Sequence, residues 1–431
     1  MRAVRFVNSL FGLLVAASQS LAATAGVLCG SIARAAEPPL PEHAESVVLR
    51  PMWATWPTGT PRLVISTDTR IGDARVSYKD PEFDVASELM VWQDGQEQVW
   101  LCRFDPRTGD LIPRDGRDRF VGQGSPYLPQ GKSPPTDFLK TVVNGPEFGL
   151  SQRGLGIYFC TGDDPENYQL ARWGLSDQTL EILAPEPTNG VRGAFASSDP
   201  QDEVGRVLCG RLERQPDGTL QVATYWFEEN DPDNVQPFSR STFGTTGPRW
   251  IPGQRAIVSN LYDEAGIPQI VRYDIDTQQT TFLTSGPNSK IDAIFFETPE
   301  FPGEQLFLCL VDNRWIDVYR RQGPGWTAIR RIAAPNAESF DTPPSTLSAE
   351  PVVYRGQTYF TYAVGYADNS SRIALASLDG QVNTLVSTAG QTRQLDPEGV
   401  AVGDQLFVYY WTLANGQSVN ELHRCKVQFW P

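Results

Sequence analysis

A short motif built on Pro-Glu returns along this chain at intervals of roughly fifty residues, a spacing typical of repeat folds. Each copy begins or lies beside a strand-length run of apolar residues. The copies are Asp80-Pro81-Glu82-Phe83, Gly145-Pro146-Glu147-Phe148, Gly247-Pro248-Arg249-Trp250, Thr298-Pro299-Glu300-Phe301, Glu350-Pro351-Val352 and Asp396-Pro397-Glu398-Gly399, with Asp199-Pro200-Gln201 in the one double gap. A repeat of this length made mostly of short strands is typical of a β-propeller.

The repeat that starts at Gly247 shows the expected blade most clearly. Strand-like runs cover residues 256–259, 269–274 and 280–284, and Asp274-Ile275-Asp276-Thr277 forms a turn between the last two. Dividing the chain after Asp80 by the period predicts an all-β propeller with seven blades; five or six are alternatives because the third unit is irregular. The last unit supplies about three strands. We predict that a strand at residues 62–66 completes it and closes the ring.

The first residues have the pattern of an export signal. Arg2 and Arg5 precede an apolar run over residues 6–29, and Ala33-Arg34-Ala35-Ala36 provides small residues for cleavage. This predicts a signal peptide over 1–36, an extended lead-in over 37–61, and a single propeller domain over 62–431. An uncleaved membrane anchor is the alternative. No later run reaches the roughly 18 apolar residues that a membrane span needs, so we expect a periplasmic or secreted protein.

The charge of the chain restricts its partners. The formal net charge is −15, and the three arginines of the leader make the remainder more acidic still. An acidic surface is repelled by phosphate backbones, so nucleic acid is excluded as an expected partner. Cations, neutral glycans and basic proteins remain open. We expect a monomer.

Cysteines and histidines are both scarce, which removes several kinds of chemistry. Five cysteines follow the leader, and four of them lie inside apolar strand-like runs, so we predict buried free thiols; one disulfide is the alternative. The absence of a CxxC pair argues against a zinc site. The two histidines, His43 and His423, cannot supply a Ser-His-Asp triad or a histidine-rich metal site. We predict His423 as a strand residue.

The blade at residues 247–285 resembles the repeat of TolB-type propellers. Pro248-Arg249-Trp250-Ile251-Pro252-Gly253 precedes a strand, a second strand ends in Asp274, and the unit closes on Leu283-Thr284. Such repeats occur in periplasmic interaction proteins, in peptidase propellers and in sugar-active proteins. The resemblance therefore implies a fold rather than an activity.

A shorter stretch is similar to arabinanase-like glycosidases. Asn144-Gly145-Pro146-Glu147-Phe148 followed by Gly156-Ile157-Tyr158-Phe159 resembles their acid-bearing blade. Those enzymes are five-bladed propellers, and the resemblance implies a catalytic Asp and Glu at the axis.

The recurring acids are the candidate functional groups. Each precedes or opens a predicted innermost strand, so several should meet near one mouth of the central channel. Converging carboxyl groups raise one another's pKa and can divide into general acid and general base, as glycoside hydrolysis requires. The same ring is a candidate Ca²⁺ site, although no cofactor or other metal is expected. The structural alternative is that the acids accept backbone N–H bonds from neighbouring blades.

These observations favour an exported binding module that holds a protein, peptide or glycan at its channel face. We predict Glu82, Arg249, Glu350 and Asp396 as ligand-binding residues. The alternative is a secreted glycoside hydrolase or related glycan-active enzyme with a carboxylate pair, for which the catalytic candidates are Asp80, Glu147, Glu300 and Glu398.

Overall fold

A computed structural model describes residues 63–125, 145–162, 168–183, 191–196, 205–214, 220–241, 248–389, 392–414 and 419–430. The predicted signal peptide and lead-in lie outside these residues. The described residues contain 29 strands, one 3-10 turn at Ala337–Ser339 and no α-helix. No helix in this part of the chain has the length and apolar character needed to cross a membrane.

The strands form seven antiparallel sheets, which are numbered as blades in chain order after β1 (Leu63–Ile71). Blade 1 contains β2 (Tyr78–Asp84), β3 (Leu89–Asp94), β4 (Gln98–Phe104), β5 (Leu111–Ile112) and β6 (Arg119–Gln123). Blade 2 contains β7 (Glu147–Ser151), β8 (Gly154–Thr161), β9 (Gln169–Gly174) and β10 (Leu180–Leu183). Blade 3 contains β11 (Val191–Ala196), β12 (Arg206–Arg214), β13 (Leu220–Glu228) and β14 (Asp231–Ser241).

The remaining four blades follow the same plan. Blade 4 contains β15 (Arg249–Trp250), β16 (Ala256–Tyr262), β17 (Pro268–Asp274) and β18 (Gln279–Phe282). Blade 5 contains β19 (Lys290–Glu297), β20 (Gln305–Val311), β21 (Trp315–Gln322) and β22 (Gly325–Ala333). Blade 6 contains β23 (Ser345–Tyr354), β24 (Gln357–Gly365), β25 (Ser371–Ser377) and β26 (Asn383–Leu385). Blade 7 contains β27 (Thr392–Val402), β28 (Gln405–Ala414), β29 (Glu421–Trp430) and β1.

The sheets close into a seven-bladed β-propeller, which confirms the predicted fold and blade count. The first strand of each blade lies innermost: β2 contacts β7 and β27, β11 contacts β7 and β15, and β23 contacts β19 and β27. β1 pairs antiparallel with β29 from Leu63 opposite Trp430 to Ile71 opposite Leu422. The predicted closing strand is therefore present and is longer than the sequence pattern indicated. It covers the edge that blade 7 would otherwise expose.

The hydrophobic core lies between blades, because the middle strands are buried on both faces. In β20 every residue after Gln305 is buried, and in β24 every residue up to Val364 is buried. A strand buried on both faces has apolar side chains at successive positions, whereas a strand buried on one face alternates apolar and polar residues. This explains the long apolar runs in the sequence. Cys102, Cys160, Cys209, Cys309 and Cys425 all lie in these layers as buried free thiols, as predicted.

Four innermost strands carry the same irregularity at the same level. The register shifts at Asp80 in β2, Asp292 in β19, Ser348 in β23 and Asp396 in β27, and each of these residues has a positive φ between 46° and 59°. An extra residue in one strand is a β-bulge, which bends the strand and re-aims its side chains. Aspartate tolerates the left-handed conformation better than most residues because its short side chain forms local hydrogen bonds.

Candidate functional site

Polar side chains from the innermost strands meet around the propeller axis. Seven carboxyl groups and one guanidinium act electrostatically on one another there; we call this set the axial ring, and its members are Asp80, Glu82, Glu147, Arg249, Asp292, Glu350, Asp396 and Glu398. Glu82 interacts with acids of its own blade, of blade 2 and of blade 7. Since blades 1 and 7 lie at opposite ends of the chain, the closed ring of sheets is what assembles the site.

Arg249 is the cation within this acidic surrounding. Its Nη2 lies 3.3 Å from Oε1 of Glu350, and both side chains are partly exposed, at 34% and 25%. Arg249 belongs to blade 4 and Glu350 to blade 6, so the ion pair passes in front of blade 5. The charges of Glu350, Asp292, Glu147 and Glu82 all raise the pKa of Arg249 against the opposing effect of burial.

Two aspartates of the ring, from blades 1 and 7, act closely on each other. The charge and the side-chain contact of Asp80 both raise the pKa of Asp396, after burial. The backbone N–H of Gly145, at the start of blade 2, donates to Oδ2 of Asp80. Asp80 thus connects blade 7, blade 1 and blade 2 at the level of the bulges.

Burial and mutual repulsion shift the ring toward its protonated form. Burial, followed by the charges of Glu147 and Glu398, raises the pKa of Glu82 well above its ordinary range. Burial also raises the pKa of Glu147 to about 8, although Arg249 opposes the shift. The pKa values of Asp396 and Glu398 are raised well above normal for the same reasons, and those of Asp292 and Glu350 are raised with Arg249 opposing. The ring therefore holds exchangeable protons at neutral pH.

The structure brings together seven of the eight residues that the sequence singled out. Those seven are the members of the axial ring other than Asp292. Glu300 is the exception, because it lies in the turn between β19 and β20 rather than on an innermost strand. Its carboxylate accepts hydrogen bonds from the backbone N–H of Thr358 at 2.7 Å and from the Thr358 hydroxyl at 2.8 Å. It joins blade 5 to blade 6, as the structural alternative proposed for the recurring acids.

Asp292 is the ring member that sequence reasoning missed. The motif search followed proline and reached Thr298-Pro299-Glu300, whereas the bulge of blade 5 is Asp292-Ala293 and has no proline. The sequence signal of Asp292 is an aspartate near the start of a strand-like apolar run, at the third residue of β19. Asp292 belongs to blade 5, between the blades of Arg249 and Glu350, and its charge raises the pKa of both residues.

A second group of polar residues lies where the ring of blades closes. Asp68 of β1 accepts hydrogen bonds from Thr388 N at 2.8 Å, from Thr388 Oγ1 at 2.6 Å and from Tyr410 Oη at 2.8 Å. His423 lies with Nδ1 3.2 Å from Asp68 and Nε2 3.3 Å from Glu421. We call Asp68, Thr388, Tyr410, Glu421 and His423 the closure cluster. His423 lies in β29, which confirms its prediction as a strand residue.

Hydrogen-bond donors control the ionisation of the closure cluster. Burial alone would raise the pKa of Asp68, but the bonds from His423, Thr388 and Tyr410 outweigh burial and lower it to about 2. The cluster is thus a satisfied structural contact between β1 and blades 6 and 7.

No group of three or more His, Cys, Asp or Glu residues in the described ranges is arranged to hold a metal ion. The side chains of the axial ring are spread over several blades instead of converging on one point within ligand distance. The chemistry that this ring supplies is negative potential, exchangeable protons and hydrogen-bond acceptors.

Comparison with known proteins supports the fold and gives no family. No protein-family model matches the chain, and no curated protein matches it. The chain is similar in structure to an oligogalacturonate lyase from Vibrio parahaemolyticus, with a TM-score of 0.52 and 8% identity over 85% of this chain and 97% of that one. An oligogalacturonate lyase in complex with manganese gives a TM-score of 0.50 and 10% identity, with coverage of 86% and 97%.

A prolyl endopeptidase matches with a TM-score of 0.47 and 13% identity, and the chain spans 50% of its length. At these identities the similarities concern the β-propeller architecture alone. The two lyase matches agree with the propeller that the TolB-type resemblance implied, while the TolB-type family itself stays a prediction.

Proposed function

We propose that this chain is a binding module that captures a cationic group of a peptide or protein ligand at the axial ring. The observation that carries the proposal is the mutual interaction of seven carboxyl groups on the innermost strands of a closed propeller. Opposite charges attract most strongly where burial lowers the effective dielectric, and a ring of acids focuses that field on the axis. An ammonium or guanidinium group is the chemical complement of such a ring.

Proton exchange gives the proposed binding a distinctive pH dependence. A cation that enters the ring lowers the pKa of Glu147 and its neighbours, so binding releases protons to solvent. Affinity for a cationic ligand should therefore rise as pH increases from 6 to 8. A ligand held by hydrogen bonds to neutral carboxyl groups would show the opposite trend.

The test compares a tetra-lysine peptide with its fully acetylated form, which has nearly the same shape and no side-chain charge. Isothermal titration calorimetry at pH 6 and pH 8 measures both dissociation constants and the number of protons released. We expect binding of the charged peptide only, at least about tenfold tighter at pH 8, and about tenfold loss in Glu398→Gln. Glu338→Gln, which makes the same substitution at an exposed glutamate in the 3-10 turn outside the axial ring, is the control.

Equal binding of both peptides, or equal losses in Glu398→Gln and Glu338→Gln, would overturn the proposal. Repeating the titration with CaCl2 alone tests whether a hard divalent cation uses the same carboxyl groups. Proton release on calcium addition that disappears in Glu398→Gln would identify a metal ligand in place of a peptide.

The ionisation of Glu147 favours a second candidate, a glycan-active enzyme. A carboxyl group with a pKa of about 8 remains protonated at neutral pH and is suited to act as a general acid beside a second carboxyl group of the ring, such as Asp80 or Glu398. Plant and bacterial polysaccharides would be screened with the wild type and with Glu147→Gln. Turnover by the wild type that is lost in the variant would establish the enzyme; no turnover by the wild type would exclude this candidate.

A further inference from the structure

Arg249 occupies the position at which other blades place an acid. Glu82, Glu147 and Glu398 each follow a proline on an innermost strand, and Arg249 likewise follows Pro248 at the start of β15. Blade 4 therefore contributes a cation at a level where blades 1, 2, 6 and 7 contribute glutamates. Because of this single reversal of charge, the axial ring contains a positively charged side chain among its acids.

The guanidinium extends away from its own blade and toward the axis. Its Nη2 lies 3.3 Å from Glu350 of blade 6, beyond the neighbouring blade 5. Its charge also interacts with Asp292 of blade 5, Glu147 of blade 2 and Glu82 of blade 1. A surface arginine in an ordinary ion pair has one acidic partner, whereas Arg249 interacts with acids from four blades.

We propose that Arg249 is a tethered occupant of the axial ring and that an external guanidinium or ammonium group binds by competing with it. The ring already accommodates one guanidinium, so the chemistry of Arg249 indicates the chemistry of the ligand. The tether raises the effective concentration of the resident cation, and a ligand binds tightly only to the fraction of molecules in which Arg249 has moved aside. The statement about ligands rests on the proposed function; the statement about Arg249 as a resident cation does not.

The resident role is tested without any ligand, by chemical rescue. The acids that interact with Arg249 are Glu82 of β2, Glu147 of β7, Asp292 of β19, Glu350 of β23 and Glu398 of β27, and Asp80 of β2 and Asp396 of β27 complete the ring around them. Arg249→Ala leaves these acids without their counter-ion, so we expect a lower melting temperature at pH 8 and a smaller difference at pH 5.5, where the acids hold their protons. Millimolar propylguanidinium chloride should restore the melting temperature of the variant at pH 8.

Two controls separate rescue from general salt effects. Arg255→Ala removes an exposed arginine that pairs with Asp276 at 2.8 Å, and it should show neither the pH-dependent loss nor the rescue. Propylurea, which has a similar shape and no charge, should not rescue Arg249→Ala. A loss that is equal at both pH values, or a rescue that propylurea reproduces, would overturn the resident-cation role. If Arg249→Ala does not fold, Arg249→Gln replaces it, and Arg249→Lys should then keep the stability of the wild type at pH 8.

The competitive role is tested by affinity. At pH 8 a tetra-arginine peptide should bind Arg249→Ala about tenfold more tightly than it binds the wild type, because the competing cation is gone. Weaker binding by Arg249→Ala would show that Arg249 assists the ligand, and would overturn competition. If no form of the protein binds the peptide while propylguanidinium rescue succeeds, the proposed function fails and Arg249 stands as a built-in counter-ion.

Discussion

The axial ring and the closure cluster each contain a buried carboxyl group with a shifted pKa, and the two shifts have opposite directions. In the closure cluster Asp68 receives donors from Thr388, Tyr410 and His423, and its pKa falls to about 2. In the axial ring Glu147 faces mostly other acids, and its pKa rises to about 8. Burial penalises ionisation in both places. The difference teaches that the supply of donors, rather than burial, decides whether a carboxyl group in this propeller is a structural contact or a proton-exchanging group.

The largest expected effect comes from removing the donor-rich carboxylate. Asp68→Ala leaves the Tyr410 hydroxyl and the Thr388 N–H without their partner and weakens the attachment of β1 to blade 7. We expect the free energy of unfolding at pH 7 to fall by about 3 kcal/mol, as when one partner of a buried charged pair is lost. Urea unfolding followed by tryptophan fluorescence measures the change. A loss below about 0.5 kcal/mol, the range of ordinary surface substitutions, would remove the contrast between the two clusters.

The next effect is the pH dependence of the wild type. The folded state keeps a proton on Glu147 up to a pKa of about 8, whereas the unfolded chain releases it near pH 4.3. The folded state therefore binds more protons between these values, and its stability decreases as pH rises from about 5 to 8. We expect a decrease of about 2 kcal/mol in the free energy of unfolding. Asp68 contributes no slope in this range because it is ionised in both states above about pH 5. A flat profile from pH 5 to 8 would contradict the raised pKa values.

Glu300 is an acid of the same motif whose carboxyl group accepts hydrogen bonds, as that of Asp68 does. Glu300→Gln weakens the bonds from the Thr358 N–H and hydroxyl that join blades 5 and 6. The expected loss in the free energy of unfolding is about 1.5 kcal/mol, typical of hydrogen bonds to a charged group. Urea unfolding checks it. A loss below about 0.5 kcal/mol would show that these bonds do not hold the two blades together.

Glu398→Gln should have the smallest effect and the opposite sign. Glutamine imitates the protonated acid and cannot repel Glu350 or Glu147, the neighbouring acids that act most strongly on Glu398. Because burial raises the pKa of Glu398, the wild type loses stability relative to the variant as pH rises above the pKa of an unfolded glutamate toward that of the folded state. We expect the difference in the free energy of unfolding to favour the variant by about 1 kcal/mol more at pH 8.5 than at pH 4. Destabilisation of the variant at pH 8.5 would show that hydrogen-bond donors stabilise the Glu398 carboxylate, as they stabilise that of Asp68.

The propeller, the closing strand and most residues of the axial ring could be predicted from the sequence, because each depends on a local sequence pattern. Asp80-Pro81-Glu82 and Asp396-Pro397-Glu398 show the bulge directly, since proline marks the break in pairing that follows the left-handed aspartate. In blade 5 the same bulge forms at Asp292-Ala293, where no proline marks its position in the sequence. Glu300 matched the motif but lies in the turn between β19 and β20, and only the register of these two strands reveals the difference. The shared position of Arg249 between blades 4 and 6 is a property of the closed ring and has no local signature.

Infrared spectroscopy of the carboxyl groups measures the central claim most directly, because protonated and ionised carboxyls absorb at different frequencies. The difference spectrum between the wild type and a Glu82→Gln, Asp396→Asn, Glu398→Gln variant isolates the axial ring. We predict that the wild type retains a protonated-carboxyl band at pH 7 that titrates above pH 7 and is absent from the variant. A band that disappears entirely between pH 3 and 5 would show that the acids at the axis are ordinary carboxylates, and would contradict the account.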